Sequence, residues 1–360
     1  MIGYGTNIVQ NGLVLHLDAA NPKSRLGTNL INNKSLDQFK PNQSVSITQN
    51  GSKIYATANQ TTSTPGVWPI GNNSNWISVS ANTQYTFQAL TSIVSGSTAW
   101  LYVTGSITGN IVWQGTALST NHQWIENTFN TGSNTAIKVG ILWQAPTIGS
   151  TIMIEDVGLY NTNMWYNLSS NNNHGSLING PTYNNADRGS IIFDGVDDYV
   201  LVGSSESLNF IYEETTIAWY FPTNLDSGRR SRIGNRHNGF LTLSGNSFGY
   251  EGFNSDSNWG NNIYTGATVE LNKWQQLAFT FKGQNNVSLY KNGVYVTGKS
   301  ITTNQTNIGG NFVIGTETLG GWGDPAWYSG KVSVVFNYNR TLSSAEIAQN
   351  FEATRGRYNI

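Results

Sequence analysis

The chain has no cysteine among its 360 residues. That excludes disulfides and thiolate metal sites. An extracellular protein so composed must rely on packing, on calcium or on oligomerisation. Charge is also scarce. Asp, Glu, Lys and Arg make up 11% of the chain, against roughly 25% in average soluble proteins. Not one of them occurs between Lys53 and Glu126. The net charge of −1 gives no electrostatic reason to expect nucleic acid or a membrane surface as partner. No apolar run approaches the length of a membrane span. The start, Met1-Ile2-Gly3-Tyr4-Gly5, lacks a basic n-region and an apolar h-region, so a cleaved secretory signal is not expected.

What the chain does have is 39 Gly, 12 Trp, 17 Tyr and 14 Phe, with Asn, Ser and Thr filling most of the rest. Aromatic and β-branched residues favour strands, and Gly, Asn and Ser favour the turns between them. The expected class is all-β, and the length suggests two domains. Alternation is clear in Gln84–Leu90, and strand-like runs recur at Thr98–Val103, Ala136–Trp143 and Thr151–Ile154. A strand and its turn are expected at Ser190–Gly195, and later strands over Thr216–Phe221, Gly239–Leu243, Trp274–Phe281, Val287–Tyr290, Phe312–Ile314 and Lys331–Tyr338. One stretch carries helix signals: Ser343 and Glu346 have capping-box spacing, and Ile347, Ala348 and Phe351 give an apolar face. They predict a final helix of one or two turns.

Several runs carry a resemblance. They are Trp165-Tyr166-Asn167-Leu168-Ser169, Asn172-Asn173-His174-Gly175, Phe193-Asp194-Gly195-Val196-Asp197-Asp198-Tyr199-Val200, Trp274–Phe281, Leu289-Tyr290-Lys291-Asn292-Gly293 and Tyr338–Ser343. In this order they resemble the laminin-G-like, concanavalin-A-like jelly rolls of secreted and phage proteins. Asn11–Pro22 looks like the opening of phage members, in which the Trp-Tyr segment follows within a few residues. Here it follows at Trp165. The resemblance implies an insertion: residues 1–27 plus 163–360 form the concanavalin-A/laminin-G-like domain, and 28–162 an inserted one. The insert's Asn29–Asn33, Val79–Phe87 and Ile154–Tyr160 look like strands of a carbohydrate-binding-module jelly roll. The expected architecture is two antiparallel β-sandwiches, one inserted in the other, with a short C-terminal helix.

Glycosidases share this fold, so catalysis needs its own test. Glycoside hydrolysis needs two carboxylates flanking one bond, which on a strand means acids at alternate positions. No such pattern exists, and Glu213-Glu214 are adjacent and read as a solvated turn. Gly245-Asn246-Ser247-Phe248-Gly249 matches a nucleophile elbow but lacks the helix that must follow, so it reads as a turn. Of the histidines, His16 reads as exposed or at an edge, and none has zinc-ligand spacing. The expectation is a non-enzymatic protein that requires no cofactor.

A structural calcium ion is the expected metal, since calcium takes hard oxygen ligands. Asp194, Asp197 and Asp198 offer three carboxylates within five residues; the plainer reading is that Asp194 and Asp197 cap a tight hairpin. In the insert, the resemblance aligns Asp37 and Asp156 with calcium-binding acids that clamp first and last strands. Sugar rings stack on aromatic platforms, for which the candidates are Trp68, Trp76, Tyr102, Trp113, Trp124 and Trp143 in the insert, and Trp259, Trp322, Trp327 and Tyr328 in the other domain. Trp100, Trp219 and Trp274 read as core. Arg229, Arg230, Arg232 and Arg236 read as a solvated hairpin loop, or as a contact to an acidic subunit or anionic polysaccharide.

The resemblance implies a bacteriophage virion protein, a capsid decoration or a fibre or spike appendage, assembled in the host cytoplasm and placed on the virion surface. Expected partners are other virion proteins and a host-surface polysaccharide, with a homo-oligomer, trimeric by analogy. Two alternatives stand beside it: a purely structural subunit without sugar binding, and an accessory module of a bacterial secreted protein.

Overall fold

The structure is a computed structural model. It describes residues 7–27, 29–31, 39–41, 44–61, 65–68, 76–112, 114–185, 189–210, 212–225, 230–235, 239–252, 263–283, 286–300, 310–316 and 327–360. Among them nearly every element is an antiparallel strand. The chain divides into two compact units: Met1–Arg25 with Met164–Ile360, and Leu26–Asn163.

The first unit is built on two eight-stranded sheets. Leu13–Asp18 pairs antiparallel with Ser329–Tyr338 in one of them, Leu17 opposite Val335. The Asn residues of the Trp-Tyr-Asn and Asn-Asn-His runs hold this first strand. Asn167 Oδ1 accepts from the His16 amide (2.7 Å), and Asn167 and Asn173 donate to the Val14 carbonyl. At the strand's far end Ser24 Oγ donates to the Tyr166 carbonyl (2.5 Å), and the Tyr166 amide to the Ser24 carbonyl (2.6 Å). The core between the sheets contains Leu15, Leu17, Phe193, Tyr220, Phe248 and Phe279. A second cluster lies under the C-terminal helix Ser344–Thr354, where Trp219 stacks on Phe351 and on Tyr358 and donates to Thr354 Oγ1. The capping box of Ser343 and Glu346 is present. The helix runs 11 residues, longer than expected, because Asn350 and Thr354 are buried against the sheet too.

Three readings need correction, and that of His16 is narrowed. Glu214 is a buried strand residue, not part of a solvated turn; it accepts from Asn337 Nδ2 (2.8 Å) and Thr216 Oγ1 (3.0 Å). Burial outweighs those bonds and pushes its carboxyl up to about 7. Arg232 is fully buried and ion-paired with Glu251 at 2.5 Å; Arg229, Arg236 and the side chain of Arg230 lie outside the described residues. His16 does lie on an edge strand, since among the described residues Leu13–Asp18 pairs only with Ser329–Tyr338. It is half-buried and not exposed, its ring on Phe336, and burial lowers its pKa to about 4. Trp274 is only half-buried, beside Phe221 and Tyr358. The Gly245–Gly249 match is the turn of a hairpin between Gly239–Ser244 and Ser247–Glu251.

The second unit pairs a five-stranded sheet with a six-stranded one. The six-stranded sheet holds Lys40–Pro41, Gly66–Trp68, Ala136–Trp143, Ala99–Gly105 and Gly109–Val112 in that order, with Ile77–Ser78 also on Ala136–Trp143. Asn29 joins the unit's ends: its side chain accepts from the Leu159 amide and donates to the Val157 carbonyl, both at 3.0 Å.

Candidate functional site

Alternate strand residues share a face, and that rule builds the first site. In Ala99–Gly105 the core takes Ala99, Leu101 and Val103; in Ala136–Trp143 it takes Ile137, Val139, Ile141 and Trp143. The opposite parity puts Trp100, Tyr102, Lys138, Gly140 and Leu142 on the outer face. Register sets Trp100 beside Leu142, Tyr102 beside Gly140 and Thr104 beside Lys138. Trp68 joins from the neighbouring strand, where Val67 takes the core. Its ring lies over Gly140, where a Cβ would come within 2.9 Å of Trp68 Cε3. It meets Tyr102 edge-on at 5.4 Å.

Trp100, Tyr102, Gln114, Leu142, Trp143 and Gln144 line a shallow cleft at one end of this face. The Gln114 amide donates to Gln144 Oε1. Gln114 and Ala145 both have left-handed backbone, φ +51° and +45°, a conformation that non-glycine residues hold only where surroundings impose it. At the other end Lys138 Nζ sits 4.5 Å from the Trp76 ring centroid, and Trp76 is 42% exposed.

Of the aromatic candidates in this unit, Trp68 and Tyr102 come together and Trp76 flanks them. Tyr102 is itself largely buried, offering an edge and a hydroxyl that donates to Asn110. Trp143 is core, its Nε1 donating to the Ser97 carbonyl, so it is no platform. Trp124 is 48% exposed but belongs to the five-stranded sheet, opposite Leu90. Trp113 lies outside the described residues. Trp100, read as core, is half-exposed on the platform. Both parities of its strand are apolar, so alternation alone could not choose the inner one. Gln114, Lys138 and Gln144 carried no sequence signal of their own.

In the first unit, ligand oxygens of Asp194, Asp197 and Asp198 all lie within 4.8 Å of one another. The turn is self-bonded: Asp194 Oδ1 accepts from the Val196 amide (2.7 Å), and Asp198 Oδ2 from the Asp194 amide (2.9 Å). The hairpin is thus capped by Asp194 and Asp198, while Asp197 contributes its backbone carbonyl to Asn179. Burial raises the Asp198 pKa, and the neighbouring carboxylates add to it. Trp327 is half-buried, against Tyr199 at 5.9 Å, one residue past the turn. Tyr328 is buried under Phe193 and Tyr220 and presents no platform. Trp259, Trp322 and Asp37 lie outside the described residues. Asp156 is half-buried at a register shift, its Oδ1 accepting from the Val157 amide.

Residues 194–348 match the Laminin_G_3 family, described as the concanavalin A-like lectin/glucanases superfamily. Over that stretch the chain is similar to lectin-like domains of this class. No curated protein matches significantly. Solved structures similar to the chain include the binding domain of Paraclostridial mosquitocidal protein 1, at 18% identity and TM-score 0.42, covering 52% of this chain and 48% of that one. The botulinum neurotoxin serotype D binding domain is similar at 12% identity and TM-score 0.44, covering 52% and 49%. The serotype D ligand-binding domain in complex with N-acetylneuraminic acid is similar at 13% and 0.43, covering 52% and 48%. The chain spans about half the length of these structures.

Proposed function

We propose that this is a non-catalytic adhesion protein of a phage virion surface that binds glycans on the outer face of its six-stranded sheet. The observation that carries the reading is the outward alignment of Trp68, Trp100 and Tyr102 on a sheet whose inner face already closes an aliphatic core. Aromatic rings facing outward with amides at their edge suit a sugar's C–H face and hydroxyls together. The matched family includes glucanases by its description, but hydrolysis needs a carboxylate pair, and the platform strands carry no Asp or Glu. The virion context rests on the likeness of Asn11–Pro22 to phage members of the family. Mass spectrometry of purified virions would detect the chain there, and its absence would remove that part. A structural calcium ion on Asp194, Asp197 and Asp198 belongs to the same reading: three carboxylates and nearby carbonyls are the donors calcium takes.

The binding test is a glycan array followed by calorimetry on Trp68→Ala and Trp100→Ala. Each is expected to weaken the best ligand about tenfold or more, a loss of at least ~1.4 kcal/mol, with the melting temperature retained. Full affinity in both variants would show that the platform is not the site.

A further inference from the structure

The strands of the six-stranded sheet contain two charged residues, Lys40 and Lys138, and no carboxylate. The cause lies in the sequence. Gly66–Trp68, Ile77–Ser78, Ala99–Gly105 and Gly109–Val112 all fall in the charge-free run between Lys53 and Glu126. Net charge over the whole chain is −1, so the positive sign belongs to this sheet and not to the protein at large.

Lys138 takes the outward parity of Ala136–Trp143 and is half-buried, its Nζ against the Trp76 ring. Burial also lowers its pKa. An ammonium partly removed from water on an apolar face attracts an anion more strongly than one in bulk solvent. Leu142 and Lys138 stand four residues apart on one strand, about 13 Å, with Gly140 and the overlying Trp68 ring between them. One extended oligosaccharide therefore reaches both ends. At the Leu142 end the polar groups are the neutral amides of Gln114 and Gln144, hydrogen-bonded to each other, with left-handed backbone at Gln114 and at Ala145 next to Gln144. The two ends thus differ in charge: one suits an uncharged ring, the other an anionic substituent.

Building on the reading that this face binds sugar, we propose that its ligand is an acidic glycan, with an anionic group at Lys138 and a neutral ring beside Trp100, Gln114 and Gln144. Lys138 is then the residue that selects charged over uncharged glycans.

The test titrates wild-type, Lys138→Gln and Trp68→Ala protein by calorimetry with three probes: a polyuronate oligosaccharide, its carboxyl-reduced counterpart and a sulfated dextran oligosaccharide. Wild type is expected to bind the polyuronate about tenfold tighter than the reduced form, the order of one charge-assisted contact. Lys138→Gln is expected to abolish that preference, the polyuronate falling to about the affinity of its reduced form. Sulfated dextran bound as tightly as polyuronate would define recognition of anionic charge in general; weaker binding would define recognition of carboxylate. Equal binding of polyuronate and its reduced form by wild type, or a preference that survives Lys138→Gln, overturns the inference. In that case a loss on Trp68→Ala leaves the platform reading standing. No binding of any probe, or indifference to both substitutions, overturns the two together.

Discussion

Two titratable side chains in the first unit, one buried and one half-buried, pull in opposite directions. Glu214 has its folded-state pKa raised to about 7, so the folded state holds a proton that the unfolded chain releases above its ordinary carboxylate range. Its contribution to stability is full below about pH 4.5 and is lost as pH rises through about 7. The shift corresponds to about 3 kcal/mol. His16 is depressed to about 4, so its contribution is present above about pH 6.5 and lost as pH falls toward 4. Urea unfolding is therefore expected to show greatest stability between about pH 5 and 6. Glu214→Gln should flatten the alkaline side and stabilise the protein at pH 8, because a neutral amide replaces a buried charge. Unchanged pH dependence in that variant would remove Glu214 from the account.

Among the elements, the C-terminal helix is held by its cap and by one aromatic stack. Ser343→Ala removes the acceptor of the Glu346 amide and should cost about 1 kcal/mol. Trp219→Ala removes a fully buried indole between Phe351 and Tyr358 and should cost about 3–5 kcal/mol; thermal unfolding reads both. This helix was legible because the Ser343–Glu346 spacing is local. The all-β class was legible for the same reason, since period-two alternation needs only neighbouring residues. The platform was legible only in part. Trp68 and Trp76 stand out as aromatics in polar, turn-rich sequence, but Trp100 alternates with Ala99 and Leu101, and only the opposing sheet decides which parity is inner. Glu214 and Arg232 were misread because their partners, Asn337 and Glu251, come from strands that are distant in sequence or set by hairpin register. Trp259 and Trp322 lie outside the described residues, so their role as sugar contacts rests on sequence alone.

At the scale of the molecule, the first unit encloses the segment that forms the second. Ser24 and Tyr166 exchange two hydrogen bonds where the chain leaves and returns, and Arg357 holds Asp18 with two bonds of 2.6 Å. Replacing residues 27–163 by a short Gly-Ser linker should therefore leave the first unit folded, with a cooperative melt and the near-ultraviolet spectrum of packed aromatics; a molten or insoluble product would count against it. The same junction sets a mechanical path. The second unit joins at the Asp18 end of Leu13–Asp18, while the N-terminus leaves at the Leu13 end, opposite Tyr338. A load applied along the strand between Leu13 and Asp18 would draw it lengthwise along Ser329–Tyr338. Its hydrogen bonds would then share the load in shear, whereas a load applied across Leu13 and Tyr338 at the ladder's end would open it one bond at a time.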